Sequence, residues 1–278
     1  MKIGIVGLGC VGSAYASVAL NKNGVAAYDI REYNEKDEKI VGHLCEDLSQ
    51  LVAFSDLIIL TLPTPTVAGK NDLSAYEETL EVLSTLNAAQ PIVIKSTITP
   101  NELTRLTQID ESLKICYSPE FLTEHNATDD LLNNGMHFVA DANVEFNASE
   151  TYVDFIENQS RIVNNKVTVC DGVEMLSLMK YCINVFLTTK VSFFNGVYAL
   201  CQDYDIDYNE LLKLLSRESR LGSSHMQVPG PDGKRGYGGM CFPKDIKAFT
   251  SFVLESPTDV DFDELLKSVE QINKNVRG

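Results

Sequence analysis

The run Gly-Leu-Gly-Cys-Val-Gly at residues 7–12 places the strongest constraint on how this chain can fold. It fits the pattern G-x-G-x-x-G and lies between a short apolar run and a stretch with helical character. The three glycines allow a tight turn and let the backbone approach a pyrophosphate at a helix N-terminus, where free N–H groups attract anions. The alternative is a glycine turn that binds no ligand.

An acidic residue, Asp29, follows the glycine run by about 20 residues, at the end of a second apolar run. An acid at this place hydrogen-bonds the adenine ribose and repels a 2′-phosphate, which favours NAD over NADP. Arg31 lies two residues further on and leaves NADP open. The sequence therefore predicts a dinucleotide site with NAD as the expected cofactor.

Short apolar runs alternate with helical or polar stretches through the first half of the chain. They predict strands at residues 2–7, 25–30, 57–62, 91–96, 114–118 and 136–140. Strands that alternate with helices form parallel βαβ units, with helices on both faces of the sheet. We therefore expect an N-terminal, Rossmann-like α/β domain with a doubly wound parallel sheet, and ligands at the carboxyl ends of its strands.

After about residue 170 the apolar residues recur at helical spacing. From Val173 to about Tyr204 there is no proline and only one glycine, which predicts one long helix. A helix of about 30 residues spans about 45 Å, a length that favours a connecting helix or a subunit interface. We therefore expect a homodimer that forms through this helix.

The remaining sequence adds further helices and a loop. Helices are expected at residues 207–216 and 261–275, and a loop rich in Gly, Ser and Pro at residues 219–240. The predicted organisation is an NAD-binding domain at residues 1–170, followed by an all-helical domain at residues 171–278 that contains the long connecting and dimerisation helix.

Acidic residues outnumber basic ones by 39 to 23, which gives the chain a net charge of −16. This charge argues against a nucleic-acid partner, because phosphates are bound by clustered Lys and Arg. No apolar stretch reaches the length of about 18 residues that a membrane span requires, and Met1 leads directly into a strand pattern. We therefore expect neither a signal peptide nor a membrane span.

The seven cysteines are an odd number and include no C-x-x-C pair. Such a set is typical of reduced thiols in a cytoplasmic protein and not of a disulfide framework. The four histidines are scattered without the spacing of metal ligands, so no metal site is expected.

One cysteine, Cys241, lies in the glycine-rich run at residues 236–245, Gly-Tyr-Gly-Gly-Met-Cys-Phe-Pro-Lys-Asp. A thiol is nucleophilic only as a thiolate, which needs positive charge or helix-end N–H groups nearby. Lys244 and a helix starting after Pro243 could supply both. A cysteine in a loop is more often incidental, and Asp245 could simply be an acid stabilised by the helix dipole.

Two further pairs of polar residues are spaced four apart. Lys180 and Asn184 share one face of the predicted long helix, and that face is otherwise apolar. A lysine in such a place either has a function or extends its ammonium group to solvent. Glu120 and Glu124 follow a predicted strand and, taken alone, would be solvated acids at a helix start.

Six stretches together resemble the UDP-glucose/GDP-mannose dehydrogenase family. They are GLGCVG (7–12), LPTP (62–65), KSTITP (95–100), SPEFLTE (118–124), KYCIN (180–184) and GYGGMCFPKD (236–245), in the family's order. The resemblance extends from Met1 to about residue 275. It implies NAD-dependent oxidation of the C6 alcohol of a nucleotide sugar to the carboxylate. UDP-glucose is the first expectation, and GDP-mannose and a UDP-N-acetylhexosamine are the alternatives.

The resemblance also implies roles for individual residues. Cys241 would hold the intermediate covalently, and Lys180, Asn184 and Asp245 would surround the reacting hydroxyl. Glu120 would assist a water molecule that Thr97 positions. With the glycine motif, the expected cofactor-binding residues are Gly7, Gly9, Cys10, Val11, Gly12, Asp29, Thr64, Thr97, Glu124 and Lys244. The expected substrate-binding residues are Glu120, Phe121, Leu122, Glu124, Lys180, Asn184, Arg220 and Gly238. Of these, Arg220 resembles an arginine that the family supplies to a neighbouring subunit's pocket.

Members of the family usually carry a third, C-terminal domain of roughly 100–150 residues that closes over the nucleotide. The sequence ends at Gly278, so we expect a minimal member, a fragment, or a protein in which something else holds the nucleotide. The alternative to an enzyme is a non-catalytic NAD-binding subunit. A subunit of that kind would need none of Cys241, Lys180 and Glu120.

Overall fold

The computed structural model describes residues 1–123, 125–257 and 260–278, and the chain forms two compact units. The first unit comprises Met1–Pro65 and Asn71–Lys180, and the second comprises Thr66–Lys70 and Tyr181–Gly278. Compactness does not establish independent folding, so the domains at residues 1–170 and 171–278 stay a prediction.

Strands and helices alternate through most of the first unit. Within the described residues the strands β1 to β10 are Ile3–Val6, Val25–Tyr28, His43–Leu44, Leu57–Leu60, Thr66–Val67, Lys70–Asn71, Ile92–Ile94, Ile115–Tyr117, His137–Asp141 and Val167–Val169. The helices α1 to α11 are Cys10–Val18, Glu35–Ile40, Leu48–Phe54, Ser74–Thr85, Pro100–Thr107, Ala127–Asn133, Ala148–Asn158, Val173–Asp203, Tyr208–Leu215, Phe242–Glu255 and Phe262–Arg277. The six predicted strands are confirmed, and the short strands β3, β5, β6 and β10 were not predicted.

Eight strands form one sheet in the order β10-β9-β8-β7-β4-β1-β2-β3. Neighbouring strands are parallel, except that β9 is antiparallel to β8. The chain proceeds from β1 to β2 on one side and returns to β4 on the other, which confirms the doubly wound α/β fold. The strand order reverses between β1 and β4, and ligands bind at the carboxyl ends of strands at such a point.

The two faces of this sheet pack against different helices, as strand β4 illustrates. Its residues Ile58 and Leu60 belong to a core formed with α3, α4, α5 and the start of α8. The alternate residues Leu57 and Ile59 belong to a second core formed with α1, α6 and α7. Because side chains alternate across a strand and both faces are covered, β4 is a continuous apolar run, as parallel strands usually are.

Among the described residues, the second unit is mainly helical and also includes the short strand β5 and the first residue of β6. Its largest core stacks Tyr181 of α8 on Phe249 of α10, with ring centroids 5.5 Å apart. Thr66 of β5 donates its hydroxyl hydrogen to the carbonyl oxygen of Lys244, 2.8 Å away, which fixes the strand against the start of α10. Within the described residues, no helix combines the length and the apolar character needed to cross a membrane.

His137, the first residue of β9, is buried in the first unit, and its Nε2 atom has no hydrogen-bond partner among the described residues. Burial lowers the pKa of His137 to about 4, because the interior disfavours the imidazolium ion, and the positive charge of Lys95 lowers it further. The folded chain therefore holds this histidine neutral at mildly acidic pH.

We predict that His137 makes the folded state less stable between about pH 6.5 and pH 4. An unfolded histidine binds a proton below its ordinary pKa of 6.5, whereas the folded one does so only near pH 4. Stability is therefore full above pH 6.5 and falls as the pH decreases, by at most about 3 kcal/mol. Urea unfolding at pH 7 and pH 4.5 should show a smaller loss for H137Q than for the unmodified chain. The exposed His43 provides the control H43Q, and equal losses in all three proteins would contradict the prediction.

Candidate active site

The glycine run forms the turn between β1 and α1, and each glycine has its own reason to be there. Gly7 has φ +90°, and a Cβ atom on it would lie 2.9 Å from the carbonyl oxygen of Thr61. A Cβ atom on Gly12 would overlap the carbonyl oxygen of Gly7. A Cβ atom on Gly9 would meet no protein atom within 4 Å, so the backbone there is open to a ligand. The turn therefore fits the pyrophosphate of NAD.

The expected cofactor residues Cys10 and Val11 begin α1, and Cys10 is exposed. A cavity of about 290 Å³ lies beside this helix start and is lined by Cys10, Ser13, Ala14 and residues 125–129. The first turn of α1 thus has free space next to it, as an anion-binding helix N-terminus requires.

Asp29 directly follows β2 and lies beside the glycine turn. Its Oδ2 atom accepts a hydrogen bond of 2.6 Å from the backbone N–H of Leu8, and its Oδ1 atom accepts one of 3.1 Å from the N–H of Arg31. The guanidinium group of Arg31 is paired with Asp37 at 2.7 Å. The carboxylate expected to bind the adenine ribose is thus fixed at the carboxyl end of β2.

The loops that follow β4 and β7 are bound to one another at the same edge of the sheet. The hydroxyl of Thr64 donates to the carbonyl oxygen of Thr97 at 2.9 Å, and that of Ser96 donates to Leu62 at 2.5 Å. Thr64 and Thr97 are both buried. These bonds bring together two expected cofactor-contacting residues that lie in separate sequence motifs.

Lys95, which the sequence analysis did not select, is one of the most buried residues of the first unit, with 1% of its surface exposed. Its ammonium group donates to the hydroxyl of Ser118 at 2.7 Å and to that of Tyr152 at 2.9 Å, and it lies 4.8 Å from the ring centre of Tyr15. A lysine that ends the apolar run Pro-Ile-Val-Ile-Lys was the available signal. Ser118 precedes the Pro-Glu-Phe motif, so Lys95 fixes the start of that segment.

Glu120 and Lys180 form a buried ion pair in the first unit, with 3.5 Å between Oε1 and Nζ. Lys180 also lies 5.2 Å from the ring centre of Phe121, and Glu120 Oε2 accepts a bond of 2.6 Å from the N–H of Leu122. Lys180 is 5% exposed, so the interpretation that it extends to solvent is wrong. Glu120 precedes α6 by several residues and is not an acid at a helix start; Glu124 lies outside the described residues.

Asp245 is the centre of a buried polar group in the second unit. Asn184 donates to its Oδ2 atom at 2.7 Å, and Lys244 donates to its Oδ1 atom at 2.5 Å. Asp245 is 1% exposed, although it lies in the first turn of α10, where the helix dipole alone would favour an acid. It is therefore more than a helix-terminal charge, because both carboxylate oxygens are held by side chains.

Cys241 is exposed at the N-terminal end of α10, and its carbonyl oxygen accepts the N–H of Asp245 at 3.0 Å. The N–H groups and the positive end of a 14-residue helix favour a negative charge at this position. A thiolate is therefore stabilised by the element that also carries Asp245.

The glycine-rich loop before Cys241 is held by residues that carry no recognisable sequence signal. Asn195 accepts the N–H of Gly236 at 3.0 Å, and Asn273 accepts the N–H of Tyr237 at 2.7 Å. A Cβ atom on Gly238 would overlap the guanidinium group of Arg277. Gly238, expected to bind substrate, is thus also required by the packing of the loop.

Arg220 lies on the surface of the second unit, with 85% of its side chain exposed. Its guanidinium group makes two bonds to Glu218, at 2.8 and 2.7 Å. An exposed arginine is accessible to a second subunit, but its expected role there stays a prediction. Among the residues that the structure describes, no group of three or more His, Cys, Asp or Glu side chains could hold a metal ion.

The chain is similar to curated proteins over most of its length. The chain is similar to the UDP-glucose 6-dehydrogenase of Rickettsia bellii, at 31% identity over 79% of this chain and 49% of the relative. It is also similar to that of Campylobacter jejuni, at 27% identity over 99% of this chain and 72% of the relative. The chain spans about half the length of most of these curated relatives.

Solved structures show the same fold. A UDP-glucose dehydrogenase from Pyrobaculum islandicum matches 99% of this chain and 68% of its own, with a TM-score of 0.81 and 22% identity. A 3-hydroxyisobutyrate dehydrogenase from Mycobacterium tuberculosis matches 99% of this chain and 94% of its own, with a TM-score of 0.73 and 16% identity.

The fold is shared by dehydrogenases with different names, and family models identify the family of this chain. The NAD binding domain of one family matches residues 34–156, and the central domain of the same family matches residues 175–275. The glycine turn, where NAD is expected to bind, lies in the same compact unit as the residues that the first of these models matches. With both of its domains represented, the chain belongs to the UDP-glucose/GDP-mannose dehydrogenase family.

Proposed function

We propose that this chain catalyses the NAD-dependent, four-electron oxidation of the C6 alcohol of a nucleotide sugar to the carboxylate, and that UDP-glucose is converted to UDP-glucuronate. The observation that carries the proposal is the arrangement at the start of α10. There Cys241 is exposed at the helix N-terminus, and Asp245, one turn further, is buried between Asn184 and Lys244. A loop cysteine without function would not require such a group beside it.

Cys241 is the nucleophile in this proposal. NAD would supply the hydride acceptor when bound, one molecule for each of the two oxidations. After the first, the Cys241 thiolate adds to the aldehyde carbon and forms a thiohemiacetal, and after the second the same C–S bond belongs to a thioester. Water then cleaves that bond, which releases the carboxylate and restores the thiol. The covalent link retains the aldehyde and divides a difficult reaction into easier steps.

Charged side chains around C6 assist both the oxidations and the hydrolysis of the thioester. Asn184 and Lys244 hold the carboxylate of Asp245 in one orientation, so that it can accept a hydrogen bond from the C6 hydroxyl. The ammonium group of Lys180 stabilises the oxyanion that develops at C6, since preorganised charge is often the largest contribution to catalysis. Glu120, paired with Lys180 at 3.5 Å, takes a proton from the hydrolytic water that Thr97 positions.

The substrate assignment rests on the curated relatives, which carry the name UDP-glucose 6-dehydrogenase. In this proposal Arg220 enters the pocket of a second subunit and supplies positive charge to a nucleotide that a chain of net charge −16 would otherwise repel. GDP-mannose and a UDP-N-acetylhexosamine are the alternative substrates, and both should be assayed beside UDP-glucose.

Replacing Cys241 by Ser should abolish formation of the uronate while leaving NAD affinity near that of the unmodified chain. A hydroxyl is a far weaker nucleophile than a thiolate, so we expect turnover to fall by at least about 1,000-fold. NADH formation and chromatography of the sugar product measure this, and C170S is the control, because Cys170 is a half-buried thiol in the other unit. Uronate formation by C241S would contradict the mechanism. NAD binding without NADH formation from any nucleotide sugar would favour a non-catalytic subunit.

We also propose that two copies of the chain associate through α8. In the second unit, Cys182, Phe186, Phe193 and Leu200 are exposed along this helix, Phe186 by 66% and Phe193 by 64%. Their spacings of four and seven residues place them on one face. Exposed aromatic side chains in a row are typical of protein–protein interfaces. A second copy is the expected partner, because an uncharged face can pack against itself about a two-fold axis.

Aspartate at these positions should separate the subunits, since buried unpaired charges oppose association. We expect F186D/F193D to be a monomer in light scattering at concentrations where the unmodified chain is a dimer. Val144 is 76% exposed on the first unit, and V144D should remain dimeric. A monomeric unmodified chain at high concentration would contradict the proposal.

A further inference from the structure

Both terminal nitrogens of the Arg31 side chain, two residues after the Asp29 that is expected to bind the ribose, are engaged in hydrogen bonds. Its Nη1 atom donates to Asp37 Oδ2 at 2.7 Å and to the carbonyl oxygen of Glu32 at 3.0 Å. Its Nη2 atom donates to Asp37 Oδ1 at 2.9 Å and to the carbonyl oxygen of Leu8 at 2.8 Å. The remaining nitrogen, Nε, lies 3.6 Å from Asp29 Oδ2. Four of the five N–H groups of the guanidinium are therefore engaged, and the fifth faces a carboxylate and not a free anion site.

This occupancy matters because NADP differs from NAD only by a phosphate on the adenine ribose. Sites that accept NADP use an arginine close to the ribose to bind this 2′-phosphate. Arg31 stands at that place in the sequence and contacts the glycine turn through Leu8. Whether it can serve a phosphate depends on whether its guanidinium group can leave the partners that it already has.

Asp37, the partner of Arg31, is itself buried and held in one position. It is 2% exposed, and its Oδ2 atom also accepts the N–H of Asn34 at 2.9 Å, as part of the box that caps α2. The hydrogen bonds from Arg31 lower the pKa of Asp37, so that it stays a carboxylate at neutral pH. Moving Arg31 to a phosphate would break two charge-assisted hydrogen bonds and leave a buried charge without its partner, which is strongly unfavourable.

We propose that Asp37 is a specificity-determining residue that excludes NADP by holding the Arg31 guanidinium group in a two-point ion pair. Asp37 acts through Arg31 and is a positioning residue. Two carboxylates, Asp29 and Asp37, thus face one guanidinium group, and the surplus negative charge opposes a 2′-phosphate. The inference concerns cofactor choice alone and is independent of the sugar oxidation proposed above.

The test compares the dissociation constants of NAD and NADP by titration calorimetry on the intact chain, with no sugar present. D37N keeps the shape of the side chain and an acceptor for the Asn34 N–H, while it removes the charge that binds Arg31. We expect the ratio of the dissociation constant of NADP to that of NAD to be at least about tenfold lower in D37N than in the unmodified chain. A change of this size corresponds to one charge-assisted hydrogen bond. D37S, a second variant with a short hydroxyl side chain at the N3 position of the capping box, should change the ratio in the same direction.

Two further variants separate the action of Arg31 from a general change of charge. In R31A/D37N the gain for NADP should disappear, because no guanidinium group remains to bind the phosphate. E38A removes another carboxylate of α2 that does not contact Arg31, and its ratio should equal that of the unmodified chain. If the ratio of the two dissociation constants is unchanged in D37N and D37S, including by an equal loss of affinity for both cofactors, the proposal is overturned. A full gain retained in R31A/D37N would also overturn it, since the gain would then come from charge removal alone.

Discussion

The buried ammonium group of Lys95 is a constraint on which the candidate site in the first unit depends. Removing an ion of this kind from water costs several kcal/mol, which its bonds to Ser118 and Tyr152 and the nearby ring of Tyr15 offset. Lys95 and Ser118 directly follow neighbouring strands, β7 and β8. One side chain thereby holds together two strand ends and the helices α1 and α7, which contribute the tyrosines.

The segments that follow these strand ends carry the groups of the proposed chemistry. Thr97 lies two residues after Lys95, and Glu120 lies two residues after Ser118. Because parallel strands deliver their carboxyl ends to one edge of the sheet, these residues share that edge with the glycine turn and Asp29. The edge thus combines the expected cofactor site with the buried pair of Glu120 and Lys180.

Features governed by local sequence were predictable, and features governed by tertiary pairing were not. Apolar runs gave the six main strands, a long stretch without proline gave α8, and the glycine spacing gave the turn, because each is set by backbone geometry or periodicity. The sequence could not show that Lys180 pairs with Glu120 sixty residues away, since an amphipathic helix leaves a lysine free to reach solvent. Nor could it show that Arg31 is held by Asp37, because the local sequence does not reveal which acid a surface arginine binds.

The central claim is that one active site performs two successive oxidations with the intermediate held on Cys241. The ratio of NADH formed to nucleotide sugar consumed tests it most directly, measured with an aldehyde-trapping reagent present. The account predicts two NADH for each UDP-glucose, UDP-glucuronate as the product, and no trapped aldehyde, because the thiohemiacetal retains the intermediate. One NADH for each sugar together with a trapped aldehyde would contradict the account, as would NAD binding with no oxidation.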